Sequence, residues 1–554
     1  MKRHSRTTSI AMSVALAATL GAGACTSSSS SKKTGGGAGS GTLTIQGDAG
    51  NPTLVENFNP FQPTQLHGTF LIYEPLEIRS PIDGTYTPFL ATGYKFTDPK
   101  TLVYTVRQGV KWSDGKAFSA ADVLFTFNLL KKDAALDTTG VWAQISNVAA
   151  TGNDVTFTFK APNVPFAGVI AGVPIVPEHV WSSISDPTKD TNTKPVGTGP
   201  YTLDKFAPTQ YALKKNPTYW QASKAVASQV LFPAQASNQS TNQLDVTSGK
   251  FDWSYNFLPE VKRTFVSRDP KHNVYWFPPG GTISLYLNLT KAPYSDPNFR
   301  KGLSLALDRS TIAKKAVNGY LDAASQSGVI LPNLQKFLDP SLPSQGVVKQ
   351  DTSAAKAAFS QAGYTMQGNK LVGKDGKAAT MTIVMPANFS DWVAAAKEVT
   401  NQLSKVGIKV TLDLPQFAQY AQTTQGGTFD AAIGGFGGTG DPYTDFNNAL
   451  NSAFAAPVNK PSPNNFERFK DPTVDAALAK LASATSEAQQ MPATHTLEQV
   501  MYQKVPAVLM YYGGSWGLFS TKNFTGWPSA QDPYTLPTNY NNALLTVVTH
   551  LKKA

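Results

Sequence analysis

The chain of 554 residues carries 48 lysines and arginines against 37 acidic residues, a formal charge of +11. Hydrophobic residues make up 41% and charged residues only 15%, which excludes both a disordered chain and a coiled coil rich in Glu, Lys, Arg and Leu. The basic residues are scattered, without the stripe that a nucleic-acid surface needs, and the length calls for two or three lobes rather than one.

At the N-terminus, Lys2, Arg3 and Arg6 precede an apolar run from Ile10 to Leu20 that is too short to span a bilayer. Small residues, Gly21 to Ala24, lead to Cys25, the only cysteine of the chain. A cysteine directly after a small-residue cleavage site resembles a bacterial lipobox. Residues 1–24 are therefore expected to be a signal peptide, with Cys25 diacylated as the mature N-terminus. An ordinary Ala22-Gly23-Ala24 cleavage site is the alternative, and Ala22 stands where a lipobox usually has leucine. The Ser/Gly stretch up to Gly41 reads as a flexible tether over 25–41. No later stretch offers about 18 consecutive apolar residues, so the lipid is the expected membrane attachment, on the extracellular or periplasmic face.

From Leu43 to about Val196 the pattern is mostly β: Leu102, Tyr104 and Val106 alternate with Val103, Thr105 and Arg107, and Val155, Phe157 and Phe159 with Thr156, Thr158 and Lys160. Between them Ser119 and Asp122 form a capping-box signal ahead of Val123, Phe127 and Leu130, which fall on one helical stripe. Short strands and turns continue to about Pro279. Helices and strands then alternate. Asp296-Pro297 and Asp351 open two helices, and residues 381–385 form an apolar strand. Ser390 is expected to cap a helix carrying Trp392, Ala396, Val399 and Leu403, closed by Gly407. A strand with Ile408, Val410, Leu412 and Leu414 follows, which predicts a parallel strand–helix–strand unit. The tail from Gly513 to Ala554 reads as β again, ending in Leu544 to Leu551, and is expected to rejoin the first part of the chain.

Motifs for chemistry are few. Gly513-Gly514-Ser515-Trp516-Gly517 matches a nucleophile elbow, with Asp532 and His550 following in hydrolase order, but the elbow needs a helix after the serine. Here the following residues read as strand and turn. A secreted serine hydrolase using Ser515 is the rival of another class. Gly435 to Gly440 spells a dinucleotide fingerprint, yet Asp441-Pro442 follows where a pyrophosphate needs positive helix-end charge. Six histidines and one cysteine share no metal spacing. Neither a catalytic residue nor a metal or cofactor is expected. Aromatic residues reach 11%. Most belong in cores, but Trp253, Tyr255, Trp392, Phe436, Tyr443 and Trp516 sit in polar or glycine-rich settings and are candidates to line a cleft for an extended ligand.

Several segments resemble the extracytoplasmic solute-binding proteins of ABC importers, family 5, whose members include dipeptide, oligopeptide and nickel binders. The segment Leu102 to Lys116 is the closest, continuing through Ala120-Ala121-Asp122-Val123. Gly197 to Tyr201, Asn216 to Trp220, Phe299 to Arg309, Gln402 to Ile408 and Phe429 to Ile433 follow in order. The resemblance implies an α/β, bilobal fold of the periplasmic-binding-protein type II class, with an extra subdomain in the first lobe. On that basis lobe I is expected over 42–279, with the subdomain at about 71–196. Lobe II would then cover 280–512, and 513–554 would return to lobe I. The implied role is that of a monomeric, lipid-anchored receptor that captures oligopeptides between its lobes and delivers them to the transmembrane subunits of a permease. Asp441 is the residue matched to the carboxylate that pairs with a peptide ammonium. The tail from Gly526 to Tyr534 is similar to relatives that bind β-linked oligosaccharides, which keeps those as the alternative ligand.

Overall fold

The computed structural model describes residues 41–48 and 52–554. The leader, Cys25 and nearly all of the tether lie outside the described residues. Two large hydrophobic cores organise the rest. The first gathers apolar residues from Leu43 to Trp253 and again from Phe519 to Leu551. The second draws only on residues between Ile283 and Tyr512. This two-lobed α/β arrangement is the fold the resemblance implied.

In the first lobe, Thr42–Thr44 pairs in parallel with Gln229–Pro233, which continues antiparallel into Gln210–Lys215 and Tyr201–Ala207. A second antiparallel sheet has the order Ala91–Asp98, Thr101–Val106, Asp154–Phe159, Ile145–Thr151. Helix Ala120–Lys132 packs on it. Its capping box is formed: the Ser119 hydroxyl accepts from the Ala121 amide, and the Asp122 carboxylate accepts from the Ser119 amide at 2.9 Å. Val123, Phe127 and Leu130 are buried, and the Phe127 ring meets that of Phe157 edge-on at 4.7 Å. The helix is thus fixed by a local cap and by one stripe inserted between aromatic strand residues.

The second lobe is a five-stranded sheet in the order Lys409–Asp413, Thr380–Val384, Ala431–Phe436, Pro279–Leu287, Ala507–Gly514. The first three run parallel, joined by helices Ser390–Lys405 and Phe417–Gly426. The last two are antiparallel to their neighbours. Asp296 and Asp351 cap their helices as read, accepting from the Asn298 and Ala354 amides. Ser390 does not cap: it is the first helical residue, preceded by Phe389, whose ring packs 5.0 Å from that of Trp392.

The tail corrects the sequence reading. Residues 541–550 form a helix, Asn541–His550, not a strand. Leu544, Leu545, Val547 and Val548 are all buried. An apolar run buried on most sides carries no clear period, so strand and helix look alike in sequence.

The two lobes are joined by an antiparallel pair of chain segments. Strand Gly517–Ser520 lies between Trp253–Tyr255 and Asn273–Trp276 in a three-stranded sheet. From it the chain runs directly beside the crossing into the second lobe: Trp276 is paired with Gly517, Pro279 with Gly514, and the Ser515 amide donates to the Pro278 carbonyl at 2.9 Å.

Candidate functional site: a glycine-floored cleft between two lobes

A cavity of about 530 Å3 opens beside this double crossing. Its floor comes from the ends of three adjacent strands of the second lobe, where the sequence places glycine after glycine: Gly280 and Gly281, Gly435, Gly437 and Gly438, Gly513 and Gly514. These residues are neighbours across the sheet, with Ile283 opposite Gly435 and Gly281 opposite Gly513. The main chain is therefore uncovered by side chains along the floor. A Cβ on Gly435 would point into open space.

The loop that ends the floor is shaped by close approach. Gly438 (φ +105°) lies so near the crossing that a Cβ would fall 2.2 Å from the Gly280 carbonyl oxygen. One on Gly440 (φ +74°) would meet the Pro81 main chain of the first lobe at 2.7 Å. Only glycine fits either place. Beneath the loop, the buried Asp445 carboxylate accepts from the Gly438 and Thr439 amides at 3.2 and 3.1 Å and from the Thr439 hydroxyl at 2.7 Å. Burial pushes its carboxyl up to about 6 despite those bonds. The run that spells a dinucleotide fingerprint is thus a loop tied down from inside by a carboxylate.

The opposite wall belongs to the first lobe. It includes Ile78, Arg79 and Pro81, Tyr255, Thr535 and Thr538, and the start of helix Asn541–His550. Tyr540 and Tyr255 meet edge to face at 5.4 Å, and Asn542 Nδ2 donates to the Gly172 carbonyl at 3.1 Å. Among the described residues, Arg79 is the one charged side chain in the lining. It is already engaged. Its guanidinium donates to the Thr439 carbonyl at 3.2 Å and lies 3.8 Å from the Asp441 carboxylate.

The aromatic lining expected from sequence is present only in part. Tyr255 and Phe436 reach the cavity. Trp253 does not: it is 0% exposed, donates from Nε1 to the Pro537 carbonyl at 3.3 Å and packs against Phe519 and Trp527 inside the first core. Trp392 sits in the first turn of its helix against Phe389 and Tyr420. Trp516 lies between Phe257 and Phe277, 5.0 and 5.1 Å away. Tyr443 packs half-buried on the second core. Asp441 is the N-cap of helix Pro442–Leu450, accepting from the Thr444 amide at 3.1 Å and hydroxyl at 2.6 Å. None of these last four lines the cavity. Arg79, Thr538, Asn541 and Asn542 were not singled out in sequence, because nothing local marks them. They become neighbours only when distant segments fold together.

Ser515 lines the cavity but connects strand Ala507–Gly514 to strand Gly517–Ser520, with no helix after it. His550 pairs with Asp532 at 3.4 Å and stacks on the Tyr534 ring. The strand–turn–helix geometry of a nucleophile elbow is not made.

Two α/β lobes on a double-stranded connection, with a cavity between them, define a ligand-trapping binding protein. Residues 85–457 match the family described as "Bacterial extracellular solute-binding proteins, family 5 Middle", and the chain belongs to that family. Its members are extracytoplasmic solute-binding proteins of ABC importers, so this is a binding protein and not an enzyme. Among curated relatives, protein XP55 of Streptomyces lividans is 27% identical over 69% of this chain and 67% of its own length. The periplasmic oligopeptide-binding protein OppA of Salmonella typhimurium is 25% identical, covering 80% of this chain and 81% of its own. A crystal structure of a periplasmic oligopeptide-binding protein of an oligopeptide ABC transporter from Thermotoga maritima superposes with a TM-score of 0.85 at 25% identity, over 93% of this chain and 99% of that one. The same protein with mannohexaose bound gives 0.78 at the same identity and coverage.

Proposed function

We propose that the chain captures oligopeptides between its lobes and delivers them to the transmembrane subunits of an ABC importer. The observation that carries this reading is the glycine floor. With no side chains along three strand ends, the floor lets an extended peptide lie close against the main chain without demanding particular side chains. The oligopeptide-binding names of OppA and of the Thermotoga maritima protein agree with it.

A second reading, β-linked oligosaccharides, is favoured by a different observation. Arg79 is the only charge in the lining among the described residues, and it faces Asp441. A neutral cavity of amides, hydroxyls and two tyrosines suits hydroxyl-rich ligands, and a close structural relative holds mannohexaose. Native mass spectrometry of protein purified from its own host identifies any retained ligand. Titration calorimetry with a pool of short peptides and a pool of β-linked oligosaccharides then decides. Peptide binding without oligosaccharide binding supports the first reading, and the reverse supports the second.

The wider arrangement belongs to the same proposal. Lobe I covers 42–279 with its inserted subdomain at about 71–196, lobe II covers 280–512, and 513–554 completes lobe I. The protein works as a monomer, held to the outer face of the membrane by a diacylglycerol on Cys25. The intact mass of the membrane-bound form carries that lipid, and Cys25→Ala leaves a folded protein in the soluble fraction. A membrane-bound Cys25→Ala protein overturns the anchor.

A further inference from the structure

Behind the glycine floor, on the far side from the ligand cleft, lies a second chamber of about 70 Å3. Gly435, Phe436 and Gly437 line both spaces, so one thickness of main chain separates them. The chamber walls are rings, Tyr286, Phe436 and Phe466, with Asp445, Asn448 and Glu467 as the polar members used here.

These polar groups are not equivalent. Asp445 is fully engaged by the Gly438 and Thr439 donors. The Tyr286 hydroxyl donates to the Gly435 carbonyl. Glu467 is 5% exposed, and among the described residues no other residue donates a hydrogen bond to its carboxyl. Arg468 follows it in sequence but turns away. Its guanidinium donates to the Phe466, Lys460 and Gln425 carbonyls and makes no ion pair with Glu467. The Asn448 side chain likewise has no partner among the described residues. Its own main-chain amide is the one donor to it, and burial pushes the carboxyl up to about 8, so a cation entering beside it takes the place of its proton. A carboxyl that ionises against a cation, one free amide oxygen and three rings in a space of roughly two water molecules complement a compact positive charge.

We propose that this chamber binds a small monovalent cation of the ammonium type, held by Glu467 and Asn448 beneath the floor of the ligand cleft. The source is either the free ion or the amine tip of a larger molecule. This site stands independently of whether the main cleft takes peptides or sugars.

The test uses the full chain at constant ionic strength. Choline chloride, too bulky for the chamber, is replaced stepwise by ammonium chloride and, separately, by n-butylammonium chloride, and the melting temperature is followed. The expected result is a saturable rise with ammonium. Glu467→Gln and Asn448→Leu, each referred to its own melting temperature in choline chloride, should shift the half-saturating concentration upward by at least ~10-fold. A matching response to butylammonium shows that an amine on a chain can enter, whereas a response to ammonium alone assigns the free ion. The absence of a saturable rise, or a rise identical in wild type and both variants, overturns the proposal.

Discussion

Arg79 of the first lobe and Asp441 of the second face each other across the mouth of the cleft, 3.8 Å apart, and the same guanidinium donates to the Thr439 carbonyl at 3.2 Å. Both side chains are mostly buried, so the pair is less screened than an exposed one. It adds to the contacts between the lobes at the double crossing, at Tyr320, whose hydroxyl accepts from the Val261 amide at 2.7 Å, and at Gly440, where the loop passes against Pro81. Losing a contact worth only ~1.4 kcal/mol moves an open–closed equilibrium ~10-fold. Arg79→Ala is therefore expected to enlarge the radius of gyration of the ligand-free protein by small-angle scattering, and saturating ligand should restore the compact value. Superimposable ligand-free curves for wild type and variant would show that the pair does not hold the lobes.

The same pairing makes Asp441 a sensitive probe of ligand class. Asn is as good an N-cap as Asp, so Asp441→Asn keeps the cap on helix Pro442–Leu450 and removes only the charge. If a peptide ammonium displaces Arg79 to reach this carboxylate, Asp441→Asn weakens peptide binding by at least ~10-fold. An oligosaccharide brings no charge to the site and should lose much less. Calorimetry with both ligand pools reads the difference, and equal peptide affinity in both proteins removes Asp441 from the role of ammonium anchor.

The glycines of the floor divide into two kinds. Gly435 has open space where a Cβ would go, so Gly435→Leu is expected to fold with a nearly unchanged melting temperature while its side chain occupies the cleft, costing ligand affinity ~10-fold or more. Gly438 has a positive φ and a carbonyl 2.2 Å from the Cβ position. Gly438→Ala is expected to lower stability by about 1–3 kcal/mol. Thermal melts paired with calorimetry separate the two effects, and a Gly435→Leu protein that binds normally would show that ligand does not lie on the floor.

Stability should also report on buried acids. Glu74 is completely buried, and burial pushes its carboxyl from 4.5 up to about 7, although Tyr219 and Trp220 donate to it at 3.0 and 3.1 Å. The folded state thus holds a proton that the unfolded chain releases at lower pH. The stabilisation is complete below about pH 4.5 and is lost as pH rises through 7, by at most ~1.4 kcal/mol per pH unit. Glu74→Gln carries no such proton. Its melting temperature should fall less than that of wild type between pH 5 and pH 8, and parallel profiles would refute the assignment.

Most local signals were legible, with Ser390, which opens its helix instead of capping it, as an exception. Ser119 with Asp122, Asp296 before Pro297, and Asp351 all cap the helices they were read to cap, because a cap needs only a few adjacent residues. The parallel unit from Thr380 to Asp413 was legible because strand, helix and strand each kept a clean period. The cleft was not. Its lining comes from strand ends at 280, 435 and 513 and a helix start at 541, which no window of sequence contains together. Trp253 illustrates the converse: its setting between Asp252 and Ser254 looks polar, yet Phe519 and Trp527, far along the chain, close over it. Polar neighbours in sequence describe the strand edges and not the space above the ring.

The strand Gly517–Ser520 occupies the middle of its sheet, between Trp253–Tyr255 and Asn273–Trp276, and Asn523 reaches Asp252 across 271 residues of sequence. Farther on, Asn539 reaches the main chain of Gln46 across 493. A chain made from its N-terminus therefore has every residue of the second lobe before it has the pieces that finish the first. The earlier-synthesised half must wait, its sheet missing the central strand and its aromatic residues partly uncovered, until the last few dozen residues arrive. Long-range closures of this kind are slow and leave apolar surface open meanwhile. For this protein a truncation near the C-terminus is accordingly a lesion in the first lobe, and the body built from the beginning of the chain is the one that sets last.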